Sequence, residues 1–309
     1  MSDTANTDSE IKPQVGNASV ERIFTMGNML HIDKVWGLNQ YAQFRDELKL
    51  IAEGVPYSSL GISGKRHESQ NINLVGSSTK TVKSKKASEQ FPEGTIAIVP
   101  LSGVMRVESG MSNTGMKDLS NTLRMLDNNA SVMGIILEVN SGGGESTAGQ
   151  LLQNTLSDIK KPIVSYAHFM ASAAYNASLG ADEIIAAGSQ SMIGSIGSMI
   201  SIDKWWMEYL KEYYDDIYSD ESPEKNKEFR AYQDGDKGPY KEMVKKSAQA
   251  FKSNVRQNRK LRGTKSFQEE TLKGSMFYAD EAKSRGLIDS IGPLSHAIQR
   301  ISRIQNYKK

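Results

Sequence analysis

Met133-Gly134-Ile135-Ile136-Leu137-Glu138-Val139-Asn140-Ser141-Gly142-Gly143-Gly144 is an apolar run that stops at two polar residues and three glycines. Such a run, rich in β-branched residues, reads as a strand buried on both faces, and the glycines end it in bare backbone. The same pattern occurs upstream in Ile96-Ala97-Ile98-Val99-Pro100-Leu101, followed by glycine-punctuated turns. Between the two, Leu119, Leu123 and Leu126 mark an amphipathic helix. Downstream, Ala148, Leu151, Leu152, Leu156 and Ile159 give the next helix its buried stripe, and Pro162 stops it. Ile163-Val164-Ser165-Tyr166-Ala167 is a third strand, the segment around Ser172 a short helix of small residues, and Glu183-Ile184-Ile185-Ala186-Ala187 a fourth strand. Strands alternating with helices of about 10–15 residues predict an α/β fold of parallel βαβ units, covered on both faces. A long helix is expected from about Pro239 to Leu261, with Tyr240, Met243, Val244, Ala248, Phe251 and Val255 on its inner face.

The bulk properties narrow the chemistry. The chain has 309 residues and a formal charge of +2, so nothing at whole-chain level points to nucleic acid. It has no cysteine, which excludes disulfides, thiolate zinc sites and a cysteine nucleophile. The four histidines, His31, His67, His168 and His296, are scattered, so no metal centre and no cofactor is expected. The polar N-terminus lacks an apolar stretch, and no run of 18 apolar residues occurs, so a soluble, cytoplasmic protein without a membrane anchor is expected. Residues 1–21 read as a disordered tail and 22–60 as a helical module with Tyr41, Phe44, Leu48 and Ile51 on one face. Residues 61–94, rich in Ser, Lys, Thr and Asn with a basic run at Lys80, Lys83, Lys85 and Lys86, read as a flexible linker. The main domain is expected over 95–300, with 301–309 a basic tail.

In an open α/β sheet, function gathers at the carboxyl ends of the strands. The Asn140–Gly144 turn lies at one such end, and Ala171-Ser172-Ala173-Ala174-Tyr175 follows the next. Gly143 and Gly144 let a substrate carbonyl approach their N–H groups, and Ala173 adds a donor if Ser172 opens a helix. The same residues also suit an ordinary strand-to-helix turn and tight helix-on-sheet packing. A serine nucleophile needs a base. His168 lies four residues before Ser172, but no Asp or Glu stands out to orient it as a triad requires. Lysine is the remaining type, because burial lowers an ammonium's pKa until its amine can accept a proton.

From about Thr95 to Gly292 the chain resembles the signal-peptide-peptidase A and phage capsid-protease family of serine peptidases, the S49 class, which shares the ClpP/crotonase fold. The resemblance rests on Asn140-Ser141-Gly142-Gly143-Gly144, on Ala171-Ser172-Ala173-Ala174-Tyr175 in the Ala-Ala form of phage members, on Ala181-Asp182-Glu183-Ile184 and on Gly194-Ser195-Ile196-Gly197. Met276-Phe277-Tyr278 with Glu281-Ala282, and Gly286-Leu287-Ile288-Asp289, fit the C-terminal signature. It implies a ClpP/crotonase-like fold of repeated βαβ units with flanking C-terminal helices, and an ATP-independent endopeptidase with a Ser–Lys dyad.

By that resemblance Ser172 is the nucleophile and Ser195 holds the lysine amine. The lysine is Lys227, 55 residues past Ser172, with Lys225 as the alternative. The chain lacks the glycine that precedes the family's lysine, and Glu224 and Glu228 flank it, which raises a lysine pKa. The Ala-Ala segment and the absent anchor point to the prophage-type branch, whose members process capsid or scaffold proteins, and a homo-oligomer is implied. A crotonase-like acyl-CoA enzyme and a non-catalytic assembly protein on the same fold remain alternatives.

Overall fold

Apolar runs without a polar face become the inner strands of a mixed sheet, and amphipathic runs become the helices that cover it. The computed structural model describes residues 30–32, 72–75, 81–84, 91–109, 114–202 and 204–308. In chain order these residues form β1 (Leu30–Ile32), β2 (Ile72–Val75), β3 (Thr81–Ser84), β4 (Thr95–Ser102), α1 (Met116–Asn128), β5 (Val132–Ser141), β6 (Gly143–Glu145), α2 (Ser146–Asp158), β7 (Ile163–Ala171) and α3 (Ala173–Ser178). There follow β8 (Glu183–Ala186), β9 (Met192–Gly194), α4 (Lys204–Tyr213), α5 (Lys227–Gln233), α6 (Gly238–Asn258), α7 (Lys265–Thr271), β10 (Met276–Tyr278), α8 (Ala279–Arg285), β11 (Ser290–Ile291) and α9 (Leu294–Lys308).

The main sheet runs β10-β9-β7-β5-β4-β2-β3, with β8 also on β7 and β11 on β8. Its centre is parallel, as the βαβ rhythm predicts: β4 with β5, β5 with β7, and β7 with both β8 and β9. β7 forks, because Val164–Ala167 pair with β8 whereas Phe169–Ala171 pair with β9. The edges are antiparallel, at β2–β3, β2–β4 and β10–β9. A separate two-stranded ribbon joins β1 to β6, with His31 opposite Gly144.

Two apolar layers hold the sheet. On one face Leu119, Leu123 and Leu126 of α1, and Leu152 and Leu156 of α2, pack on Val99, Leu101, Ile135, Leu137 and Val139. On the other, Ala297, Ile301 and Ile304 of α9 cover Ile96, Ile98, Ile136, Val164 and Tyr166. Each fully buried Leu or Ile contributes roughly 1.5–3 kcal/mol relative to exposure.

Two sequence expectations are corrected here. Residues 301–309 are no tail as far as they are described: Ile301 and Ile304 belong to the last turns of α9 and are buried. Gly134 permits this docking, since a Cβ there would lie 2.3 Å from the Ile301 Cγ2. The 61–94 stretch, read as a linker, contributes β2 and β3 to the sheet edge, where Leu74 and Val75 are buried. Their apolar alternation is too short to stand out from the polar background. The 1–21 tail and the helical face of Tyr41, Phe44, Leu48 and Ile51 lie outside the described residues. Helix α6 ends at Asn258 rather than Leu261. Its stripe divides, with Phe251 and Val255 in the core and Tyr240, Met243, Val244 and Ala248 only half-buried.

Candidate active site

Where β7 ends, the chain turns sharply into α3, and Ser172 is the residue that makes the turn. Its φ of 57° and ψ of −120° form a combination that a side chain rarely adopts. The hydrogen bonds around it fix that conformation. The Ser172 N–H donates to the Gly194 carbonyl at 2.9 Å, and its own carbonyl accepts from the Asn176 N–H at 2.9 Å, which starts the helix. Ser172 is only 2% exposed.

Ser195 is brought to the same place by strand pairing. Ala171 is registered with Gly194 in the β7–β9 pair, so Ser172 and Ser195 are the next residue on each strand. Ser195 also takes a positive φ, 53°, and its N–H donates to the Ser275 carbonyl at 2.9 Å. Gly194 has φ 138°, and a Cβ there would sit 2.4 Å from that same carbonyl, so the glycine is required by close approach.

The glycine turn is built differently from the sequence picture of freely offered amides. The Gly143 N–H donates to the Ser141 Oγ at 3.1 Å, and that hydroxyl donates to the Gly103 carbonyl at 2.6 Å. At Gly144 a Cβ would meet the Met105 carbonyl oxygen at 2.1 Å, so packing alone already demands a glycine there. β6 accepts β1 as an antiparallel partner, and both strands lie against α3. Ala173, wholly buried, opens α3, where the first N–H groups have no intrahelical acceptor.

Lys227 opens α5 directly after Asn226, itself at φ 54°. Its amine lies 2.7 Å from the Glu224 Oε2, and its side chain is 53% exposed. The hydrogen bond and charge of Glu224, with the more distant Glu228, hold its pKa above the ordinary lysine value. Lys225 is exposed on the preceding turn, with its N–H donating to the Ser222 carbonyl at 3.1 Å. Arg230 braces this loop, stacking over the Tyr218 ring at 4.8 Å and donating to the Pro223 carbonyl.

Three features were missed in the sequence. His168 does have a carboxylate partner: the Glu138 Oε1 lies 3.1 Å from its Nε2 across the β5–β7 pair. Their positions near the ends of neighbouring strands were the available signal. Gly149 of α2 packs against the start of α3, where a Cβ would come within 2.9 Å of the Ala173 carbonyl. Asn254 of α6 donates to the Asn176 Oδ1 at 2.7 Å and to the Gln153 Oε1 at 2.9 Å, tying α6 and α2 to the helix that Ser172 opens. Its place on the stripe of Phe251 and Val255 was legible as a polar residue on a buried face.

The fold and the two serines define an α/β protein with a strained strand-to-helix serine at the carboxyl end of a parallel sheet. Residues 155–308 match the model of peptidase family S49. Among curated relatives, a protein of Methanocaldococcus jannaschii named only provisionally as a protease is 28% identical over 60% of each chain. Protease 4 of Haemophilus influenzae is 27% identical over 69% of this chain and 35% of that protein. The chain thus spans less than two thirds of either relative's length. A solved methylmalonyl-CoA decarboxylase covers 78% of this chain and 74% of its own, at 13% identity and a TM-score of 0.39. Among the described residues no helix is long and apolar enough to cross a membrane.

Proposed function

We propose that the protein is an ATP-independent serine endopeptidase with a Ser–Lys dyad. The observation that carries the reading is the pair of serines: Ser172 and Ser195, each the residue after one of the paired strands β7 and β9, are both held at positive φ, and the third non-glycine residue so held among the described residues is Asn226, between the two candidate lysines. Strain of this kind persists only where the surroundings enforce it, and it clusters at functional sites.

In the proposed reaction the Ser172 Oγ attacks the peptide carbonyl carbon while its proton passes to the lysine amine. The C–N bond breaks as that proton moves to the leaving amine, and water then hydrolyses the acyl-enzyme by the reverse route. Ala173, with Gly144 and Gly143, is proposed to supply the oxyanion donors, although the Gly143 amide must first leave the Ser141 Oγ. Ser195 would hold the lysine amine. β1 lies on β6 as an antiparallel strand, and a peptide substrate would take that edge in the same extended form by replacing β1. The Ala-Ala segment supports the prophage-type branch and a capsid or scaffold protein as substrate. A lysine base must be desolvated, and Lys227 is exposed in the single chain, so a homo-oligomer that covers it completes the proposal.

A fluorophosphonate probe tests the reading: it should label the wild type at Ser172 and leave Ser172→Ala unmodified. A folded wild type that takes up no probe and cleaves no co-expressed capsid-operon protein would favour the second reading, a non-catalytic assembly protein. The exposed ion pair of Lys227 with Glu224 is the observation on that side.

A further inference from the structure

From the last turn of α4 towards α5 the chain runs Glu212-Tyr213-Tyr214-Asp215-Asp216-Ile217-Tyr218-Ser219-Asp220-Glu221-Ser222-Pro223-Glu224, with six carboxylates and no basic residue. It carries its apolar side chains outward: Tyr214 is 60% and Ile217 93% exposed. An isoleucine so placed, in a segment that is neither helix nor strand, contributes nothing to the fold of its own chain.

The opposite chemistry stands on α6. A groove of about 560 Å³ opens between α6 and the chain that leaves Ser195, with Ile200, Ile202, Tyr240 and Val244 among its walls and Lys237, Lys241 and Lys245 along its rim. Lys245 has a partner in Glu242 at 3.6 Å, whereas Lys237 and Lys241 form no ion pair among the described residues. This is the half of the α6 stripe that does not enter the core.

We infer that the acidic segment of one copy seats in the lysine-rimmed groove of a second copy, with Ile217 as its apolar anchor. The inference rests on the oligomeric reading given above and names the contact that builds the oligomer. An apolar anchor flanked by carboxylates matches an apolar trough flanked by ammonium groups, and complementary charge fixes which surfaces meet. Strap and groove are different surfaces of the same chain, so the contact is head-to-tail and closes into a ring or continues as a filament. The strap leads directly into the turn with Lys225 and Lys227, so seating it brings that turn against the neighbouring copy.

Light scattering on the full-length chain tests this. The wild type should exceed the mass of one chain, and Ile217→Asp should fall to it. Asp215→Lys/Asp216→Lys and Lys241→Glu/Lys245→Glu should each also run as single chains. Mixed in equal amounts, these two charge-reversed variants should reassemble, since each then offers the other a matching strap and groove. Failure of the mixture to reassemble, or variants that keep the wild-type mass, overturns the strap contact while leaving another oligomer possible. A wild type that is a single chain overturns both; this includes the outcome in which the groove takes its own chain's strap or a foreign acidic peptide. Probe labelling of Ser172 reads separately: an assembled but unlabelled protein sinks the peptidase reading and leaves this contact standing.

Discussion

Ser172 holds a backbone conformation that glycine adopts without cost and serine does not. Residues kept in such regions store on the order of 1–3 kcal/mol. Ser172→Ala keeps that strain and removes the hydroxyl, so it should fold like the wild type and lose all proteolysis. Ser172→Gly should lose activity equally but unfold at a higher temperature than the alanine variant, since relief of strain outweighs the roughly 0.5–1 kcal/mol of extra chain entropy that glycine costs. Thermal unfolding of the two variants decides it, and a lower midpoint for the glycine variant would remove strain from the account. The lysine offers a second reading at this scale. Glu224 raises the Lys227 pKa, first by its hydrogen bond and then by its charge. A base must be neutral to act, so activity should rise with pH, and Glu224→Gln, by lowering that pKa, should move the rising limb to lower pH. An unmoved limb, measured by probe-labelling rate against pH, would transfer the role to Lys225.

At the scale of elements, the central strands and covering helices were legible because their apolar periodicity is uninterrupted over whole elements. What escaped was short or decided by contacts distant in sequence. β2 and β3 have four residues each, and their strand character comes from pairing with β4. The last turns of α9 looked basic because their charges outnumber Ile301 and Ile304, the two residues that pack. In the candidate site, Ser172 and Ser195 could be picked out by motif, but their adjacency comes from the β7–β9 register. The reason for Gly144 lies in the Met105 backbone, and the brace through Asn254 joins residues 78 and 101 positions apart. That brace yields a prediction. Asn254→Leu leaves the buried Asn176 Oδ1 without this donor and the Gln153 Nε2 without this acceptor, at a cost of about 1–3 kcal/mol for a buried unsatisfied group. Denaturant unfolding should show the loss, and probe labelling of Ser172 should slow because α3 is freed from α6. Unchanged labelling with reduced stability would make the cluster a packing feature only.

For the whole molecule, the unresolved chemical demand is the state of the base. In the single chain Lys227 is exposed and held as a cation by Glu224, whereas Ser172 is buried at the end of β7. A surface lysine of raised pKa cannot take a proton from serine near neutral pH; burial against another surface is what lowers it. A head-to-tail assembly supplies such a surface and allows a site to take its serine from one copy and its lysine from the next. Mixing Ser172→Ala with Lys227→Ala chains, each inactive alone, should then recover about a quarter of the wild-type activity, the chance that a site draws an intact serine and an intact lysine from the two variants across a heterologous interface. If the lysine instead acts within its own chain, every site in the mixture lacks one member of the dyad, and no activity returns however well the chains assemble.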